Sequence, residues 1–387
     1  MAADGLRTQW RELYHEVVEP NLCTGCAACV MACPRDVLDY DHSTTYHPFN
    51  VELTTAFDDC VHGQRGCDIC TRACPRFRDW ETESDVALFG RAREPGEVIG
   101  VRRGVHLVRA TDDGVLAAAQ DGGLVSALLV WGLETGRIEG ALTSRSSAAR
   151  PWDAEPFLAT TRAEVLEAAG SRYAYAANPL AMREAERRGL RRLALVGMSC
   201  QASINGTLLA RRVNKYARRI ELTVGLLCSK SFEYEGMRRV LAERGIPLED
   251  VAKIDIKGRF LVWRRSTGEQ VEVPLKALQA VTREGCKLCP DFAAEHADIS
   301  AGGLGQRDGW TLTVVRTARG EAWLQDARAA GVVTVRPAEE DPAALALLAK
   351  LAARSRLRWP AELAEQGRGA PRALPVVGSA AGGARGG

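Results

Sequence analysis

The rhythm of apolar and polar positions changes along the 387 residues. Residues 6–18 read as a helix packed on the outside of an N-terminal module. From His106 onward, short apolar runs at 140–143, 193–197, 220–227, 251–256, 260–264 and 311–315 alternate with helical patterns. Runs of that length read as strands, and strands interleaved with helices predict an α/β or α+β domain. Residues 343–354 are rich in Ala and Leu and predict a terminal helix, whereas the Gly, Ala, Pro and Arg of 367–387 have no period and predict a disordered tail. From Trp80 to about Gly104 the chain is charged and aperiodic, which predicts a linker.

Composition narrows the function classes. With 46% hydrophobic residues the chain can bury a sizeable core in two or three domains. The formal net charge of +2 gives no bulk attraction to nucleic acid or to a membrane surface. Its distribution is uneven: residues 1–80 hold 12 acids and 7 bases, net −5, which leaves +7 for residues 81–387. No stretch reaches the roughly 18 to 20 apolar residues of a membrane helix. Arg7, Glu12, His15 and Glu16 stand where a signal-peptide core would be. A cytoplasmic protein without membrane insertion is expected, and in that reducing compartment CxxC spacing favours metal over disulfide.

The 12 cysteines fall into three groups of four. Cys23, Cys26, Cys29 and Cys33, followed by Pro34, form the C-x2-C-x2-C-x3-C-P run in which three thiolates wrap one cubane cluster and the fourth turns toward a second. Small residues at Gly25, Ala27 and Ala28 let backbone N–H groups approach the cluster sulfides. Cys60, Cys67, Cys70 and Cys74, before Pro75, repeat the ending with a longer first spacing. Because the fourth cysteine of each such run ligates the other cluster, Cys23, Cys26, Cys29 and Cys74 are assigned to one [4Fe–4S] centre and Cys60, Cys67, Cys70 and Cys33 to the other. Zinc is the competing reading, but the run has too many close thiolates for one tetrahedral ion. His62 reads as a surface loop residue. Cys286 and Cys289 supply two ligands from one loop and need two more; only Cys200 and Cys228 remain, so a third four-cysteine centre follows. Alone, those two would read as core residues.

Two connections carry further chemistry. The strand at 193–197 breaks at Gly197 and leads into a helix, placing Cys200 in a strand-to-helix turn where cofactors are contacted. Gln120-Asp121-Gly122-Gly123 precedes the apolar stretch 124–133, and two glycines at a helix start admit a planar ring or a phosphate, although an ordinary turn has the same pattern.

Several motifs taken together resemble the beta subunit of coenzyme F420-reducing hydrogenase and its dehydrogenase relatives. They are the run 120–129, Ala169-Gly170-Ser171-Arg172-Tyr173, Gly197-Met198-Ser199-Cys200-Gln201, Gly225-Leu226-Leu227-Cys228, Glu235-Gly236, Gly285-Cys286-Lys287-Leu288-Cys289 and Ala297-Asp298-Ile299-Ser300. The resemblance covers about residues 105–335. It implies a flavoprotein that binds FAD and one [4Fe–4S] cluster, held by Cys200, Cys228, Cys286 and Cys289, and that reacts with a deazaflavin. Flavin contacts are implied at Gln120, Gly122, Gly123, Ser126, Ser171, Tyr173, Gly302 and Gly305. Met198-Ser199 departs from the Thr-Pro of many relatives. Similar proteins outside hydrogenases carry an extra two-cluster ferredoxin, which residues 1–80 match.

The expected architecture is therefore α+β: a bacterial-type 2[4Fe–4S] ferredoxin domain at 1–80, a linker at 81–104, a mixed α/β flavoprotein domain at 105–340, a C-terminal helix at 341–366 and the tail at 367–387. The expected activity is hydride exchange with coenzyme F420 at FAD and single-electron passage through three [4Fe–4S] clusters to or from a redox partner protein or subunit. Arg172, Lys253, Lys257 and Lys276 are candidate contacts for an anionic cofactor, and no residue is needed as general acid or base; His296 reads as structural. The alternatives are a reductase of an organic substrate of the 7-hydroxymethyl chlorophyll type and a flavin-free electron relay.

Overall fold

The computed structural model describes residues 8–305 and 308–369. Thirteen strands form three sheets among them. In chain order these are β1 (Leu38–Tyr40), β2 (Pro48–Asn50), β3 (Gly104–Ala110), β4 (Gly140–Ser146), β5 (Ala154–Ala159), β6 (Leu193–Met198), β7 (Ile220–Leu226), β8 (Val251–Ile256), β9 (Phe260–Arg264), β10 (Gln270–Val273), β11 (Ile299–Gly302), β12 (Thr311–Val315) and β13 (Val333–Pro337).

The large sheet has eight strands in the order β13-β3-β12-β11-β7-β6-β4-β5. Its centre, β11-β7-β6-β4, is parallel, and the strands outside that centre pair antiparallel. Both faces are covered, which explains why Leu193–Met198 reads as one unbroken apolar run. The two-residue period sorts the side chains of that run. Ala194 and Val196 face the layer made by the helices Leu124–Glu134 and Ala318–Ala329, and Leu193 and Leu195 face the opposite side. On that opposite side lie the helix Ser199–Ala210 and the helix Ala28–Ala32 of the N-terminal module, through Ile204, Leu208, Ala28 and Met31. The N-terminal module is thus part of a covering layer. The helix Pro342–Arg356 extends the same layer over Leu107, Leu312 and Val314.

Strands β8, β9 and β10 make a separate antiparallel meander packed against the helices Tyr234–Ala242 and Leu275–Gln279. In the N-terminal module, the β1–β2 pair and short helices surround the cysteine runs.

Three expectations change. Residues 81–104 are not a free linker: Trp80–Phe89 is a helix, capped by Asp79 and closed by Gly90 at φ 73°. Its charges were misleading because they point inward. Arg93, 5% exposed at its side chain, pairs with Asp85 at 2.9 Å, with Glu81 at 3.4 Å and with Glu295. Arg356 pairs with Glu81 at 3.1 Å and with Glu295. His296 Nε2 meets Asp85 at 3.0 Å, consistent with a structural role, and Asp298 pairs with Arg319 at 2.9 Å. Breaking such a buried network strands a charge away from water, which fixes the partners to one another. The expected C-terminal helix at 341–366 is two helices, Pro342–Arg356 and Ala361–Glu365, the second starting after Pro360. The expected helix at 6–18 is an α-helical turn, Trp10–Leu13, continued as a π-helix, Tyr14–Val18. Residues before Thr8, and the tail from Ala370 onward, lie outside the described residues.

Candidate functional site: three thiol quartets and a polar cluster beside them

All twelve cysteines are free thiols, and the folded chain gathers them into three quartets. One hollow is walled by Cys23, Cys26, Cys29 and Cys74, another by Cys33, Cys60, Cys67 and Cys70. These are the crossed groupings that the two runs imply. The backbone shows how the first loop closes: Gly25 stands at φ 72° and Ala27 at φ 58°, and the Gly25 N–H donates to Cys23 Sγ at 3.4 Å. A residue at Ala27 pays for its left-handed conformation, which turns the loop inward before the helix Ala28–Ala32 begins.

Burial sets the thiol chemistry. It pushes Cys26 up to about 12, with Cys74 adding to the shift. Cys29 is raised far by burial and then by Cys74, Cys23 and Cys26; Cys70 is raised by burial and then by Cys67, Cys33 and Cys60. Four thiols that oppose one another's ionisation need a cation at their centre before they carry charge. Among the described residues no three His, Cys, Asp or Glu side chains have the arrangement that holds a metal ion. A polynuclear cluster, whose irons hold the sulfurs apart, fits the two walled hollows better than one tetrahedral ion.

The third quartet is built from the sheet. Strands β6 and β7 are parallel neighbours, and their C-terminal ends lead to Cys200 and Cys228, at the edge where parallel sheets place ligands. The Cys228 N–H donates to Phe292 O at 2.9 Å, and Ser231 N–H donates to Cys286 Sγ at 3.5 Å. Cys228 is raised far by burial, then by Cys286, Cys200 and Cys289, so the four thiols are neighbours. Cys289 is pushed up to about 12 by burial, with Cys200 and Asp291 adding and Arg76 opposing. The Met198-Ser199 departure leaves the turn intact. Met198 is extended, and Ser199 is the first residue of the helix, a position that also suits proline. Ser199 Oγ accepts from the Ala294 N–H at 3.2 Å.

The third quartet touches the first. A Cβ on Gly285 would collide with the carbonyl of Cys23 and stand 2.9 Å from Thr24 Cα, so the Cys286 loop presses backbone to backbone on the Cys23 loop. Cys200 is raised to about 11 by burial and next by Cys26 across the junction.

Beside this junction, several of the implied flavin contacts cluster together. The Ser171 N–H donates to Gln120 Oε1 at 3.3 Å, and Gln120 Nε2 is buried without a partner. Tyr173 is raised by burial and by Asp255 and Asp121, and Ser171 draws it back, so these side chains share one region. A Cβ on Gly303 would run into Asp121, and one on Gly302 would lie 2.8 Å from Leu227, next to Cys228. The Gly302–Gly303 turn therefore links this cluster to the third quartet. Ser126 is buried in the helix Leu124–Glu134, whose N-cap is Gly123 at φ 73°. Gly122 has a structural requirement of its own, since a Cβ there would fall 2.5 Å from Val108 O and 2.7 Å from Thr311 N. Gly305, at φ 96°, packs against Asp341 and Ala344 rather than into this cluster.

Of the candidate cations, Arg172 is inside. It donates to the carbonyls of Ser144 at 2.8 Å and Ala168 at 2.6 Å, its Nε has no partner, and burial lowers it to about 10. Lys257 pairs with Asp308 at 2.6 Å, Lys253 lies 5.4 Å from the Trp263 ring, and Lys276 is exposed. Both Lys257 and Lys253 act on Asp121, which burial and Asp255 raise. Two residues that the sequence did not single out, Arg76 and Arg283, stand at the junction of the first and third quartets. A lone arginine after a Cys-Pro pair carries no sequence signal of burial.

Comparison with known proteins bears on the cysteine-rich module and on the family of the whole chain. Residues 22–77 match the 4Fe-4S dicluster domain. Residues 105–183 and 190–341 match the N-terminal and C-terminal parts of the coenzyme F420 hydrogenase/dehydrogenase beta subunit. The chain is 35% identical over 269 residues to the coenzyme F420 hydrogenase subunit beta of Methanothermobacter thermautotrophicus, covering 67% of this chain and 93% of that protein. It is 30% identical over 329 residues to the coenzyme F420-dependent sulfite reductase of Methanocaldococcus jannaschii, covering 81% of this chain and 47% of that larger protein. Among solved structures, a chain of the F420-reducing [NiFe] hydrogenase complex from Methanosarcina barkeri superposes with a TM-score of 0.66 at 32% identity, covering 71% of this chain and 95% of that one. No helix among the described residues is long and apolar enough to cross a membrane. An N-terminal 4Fe–4S dicluster domain joined to a mixed α/β domain with matching sequence, length and fold places this chain in the coenzyme F420 hydrogenase/dehydrogenase beta-subunit family.

Proposed function

We propose that this chain exchanges hydride with coenzyme F420 at a bound FAD and passes single electrons, one at a time, through three [4Fe–4S] clusters to or from a partner protein or subunit. The observation that carries the reading is the row of sites. Gln120 and Ser171 are hydrogen-bonded, the neighbouring Asp121 packs on Gly303, Gly302 packs on Leu227 next to Cys228, and the third quartet adjoins Cys23 through Gly285. When bound, FAD would supply the conversion between a two-electron hydride carrier and one-electron clusters.

The chain's own residues do the rest. Gln120 Nε2 and Arg172 Nε are buried donors without protein partners, suited to a polar edge of the flavin or to its phosphates. Leu227, packed on Gly302, stands between the Gln120 cluster and Cys228 and would hold the two sites at a fixed spacing. Lys253 and Lys257, at the mouth beside Asp121, suit the anionic side chain of the deazaflavin. No side chain is required to move a proton in the hydride step.

Anaerobic reconstitution tests the reading. About twelve irons and about one FAD per chain are expected, with bleaching of the clusters when reduced F420 is mixed in a stopped-flow cell. Protein with full iron but no flavin would make it a relay, and bound flavin that ignores reduced F420 would point to an organic substrate instead.

A further inference from the structure

Two arginines are buried where the first and third quartets meet, and neither has a full set of protein partners. Arg76 is 2% exposed and Arg283 is 3% exposed. Arg76 stacks 4.1 Å from the Trp80 ring, donates to the carbonyl of Pro75 and points Nη2 at Cys289 Sγ, 3.7 Å away. Arg283 stacks 3.6 Å from the Tyr175 ring and 4.6 Å from the Tyr46 ring, and donates to Thr24 O at 3.2 Å. The Nε of each is buried without a partner. Among the described residues no carboxylate comes within ion-pair distance of either.

Other buried arginines in the chain differ. Arg316 donates to Ser300 Oγ at 2.6 Å and to the carbonyls of Ile99, Val101 and Ala293 at 2.9, 3.0 and 2.7 Å. Arg93 is ringed by three carboxylates. A buried guanidinium with neither arrangement needs negative charge from somewhere. Arg76 lines the hollow of Cys23, Cys26, Cys29 and Cys74, and the negative charges acting on it are Cys289, Cys200 and Cys26, followed by the buried Asp291; the Arg283 carbonyl accepts from the Cys286 N–H, the groups acting on Arg283 include Cys286 and Cys200, and Arg283 in turn acts on Cys23. Each arginine therefore faces both quartets. Four thiolates outweigh the charge of an oxidised cubane core, so a loaded quartet is anionic, and reduction makes it more so.

We propose that Arg76 and Arg283 are positioning residues that bridge the quartet Cys23/Cys26/Cys29/Cys74 and the quartet Cys200/Cys228/Cys286/Cys289 with fixed positive charge, raising the reduction potentials of both clusters together. The inference rests on the three-cluster reading above. Net charge and donors near the sulfurs are among the factors that set such potentials. A cation shared by two centres favours an electron on either one over an electron on neither, and it offsets the repulsion between two charged clusters. It also keeps the pair matched, so that neither centre becomes a trap.

The test is a potentiometric titration of the anaerobic holoenzyme followed by electron paramagnetic resonance, with iron counted in every sample. In Arg76→Gln and Arg283→Gln, the reduced-to-oxidised ratio of the two flanking clusters at a fixed poise should fall about tenfold, which is ~59 mV for a one-electron couple. The Cys33/Cys60/Cys67/Cys70 cluster should stay within a small fraction of that shift, and Arg76→Lys should keep near-native potentials. Unmoved potentials in both Gln variants with full iron, or equal shifts of all three clusters, would overturn the proposal. If neither Gln variant holds iron, Arg76→Lys decides: assembly at near-native potentials supports the role of charge, and failure refutes it. Wild-type protein with about eight irons would instead refute the three-cluster reading itself.

Discussion

The ferredoxin-type quartets and the third quartet bring four thiols together by different routes. In residues 23–74, short loops bend back on themselves, and the ligands lie within a few residues of one another apart from the exchanged fourth cysteine. The third quartet has one sulfur beyond β6, one beyond β7 and two on a later loop, so its geometry is a property of the sheet. A local loop carries its site with it; a sheet-edge site exists only while the strands stay in register.

Cys200→Ser should break this contrast most severely. Iron is expected to fall from about twelve to about eight per chain, both ferredoxin-type resonance signals should survive, and transfer from reduced F420 to those clusters should drop by orders of magnitude. Survival of that transfer at the wild-type rate would end the proposed route. Glu295→Ala attacks the scaffold behind the sheet edge. It leaves Arg93 and Arg356 short of a partner at zero side-chain exposure for the carboxylate, and a loss of about 3–5 kcal/mol is expected in denaturant titration. Gly285→Ala sharpens the comparison at the point where the two kinds of site touch. The new methyl must push the Cys286 loop off Cys23, costing about 1–3 kcal/mol and altering the third cluster's signal before the Cys33/Cys60 one. Gly123→Ala, at φ 73°, should cost about 1–2 kcal/mol and weaken retention of FAD on gel filtration. Glu321→Ala removes an ion pair to Arg103 whose side chains are 37% and 46% exposed, and its thermal midpoint should move by no more than about 0.5 kcal/mol implies.

What was legible in the chain follows the same division. Spacing within 23–34 and 60–75 encodes the clusters directly, because the ligands and the small residues that admit them are neighbours in sequence. The third quartet was legible by counting and by the family resemblance, since no local spacing near Cys200 or Cys228 announces a partner in the 286–289 loop. Charge was the misleading signal. Glu81, Asp85 and Arg93 look like a solvated stretch until Glu295, His296 and Arg356 arrive from far along the chain to meet them. The glycines of 120–123 show a further limit. Gly122 is required by Val108 and Thr311, so its presence is no argument about a ligand. Arg76 and Arg283 were invisible for the opposite reason: their significance is a shortage of partners, and only three-dimensional packing reveals a shortage.

The helix Trp80–Phe89 ties the cysteine-rich module to the main sheet through buried ion pairs, while Gly285 clamps the same module from the other side. Tunnelling falls steeply with every ångström of gap, so a tether that holds the gap constant makes internal hopping indifferent to viscosity and to dilution. On the proposed route the slow events would then be encounters with what arrives from outside, and turnover should track the concentration of those visitors rather than any hinge within the chain.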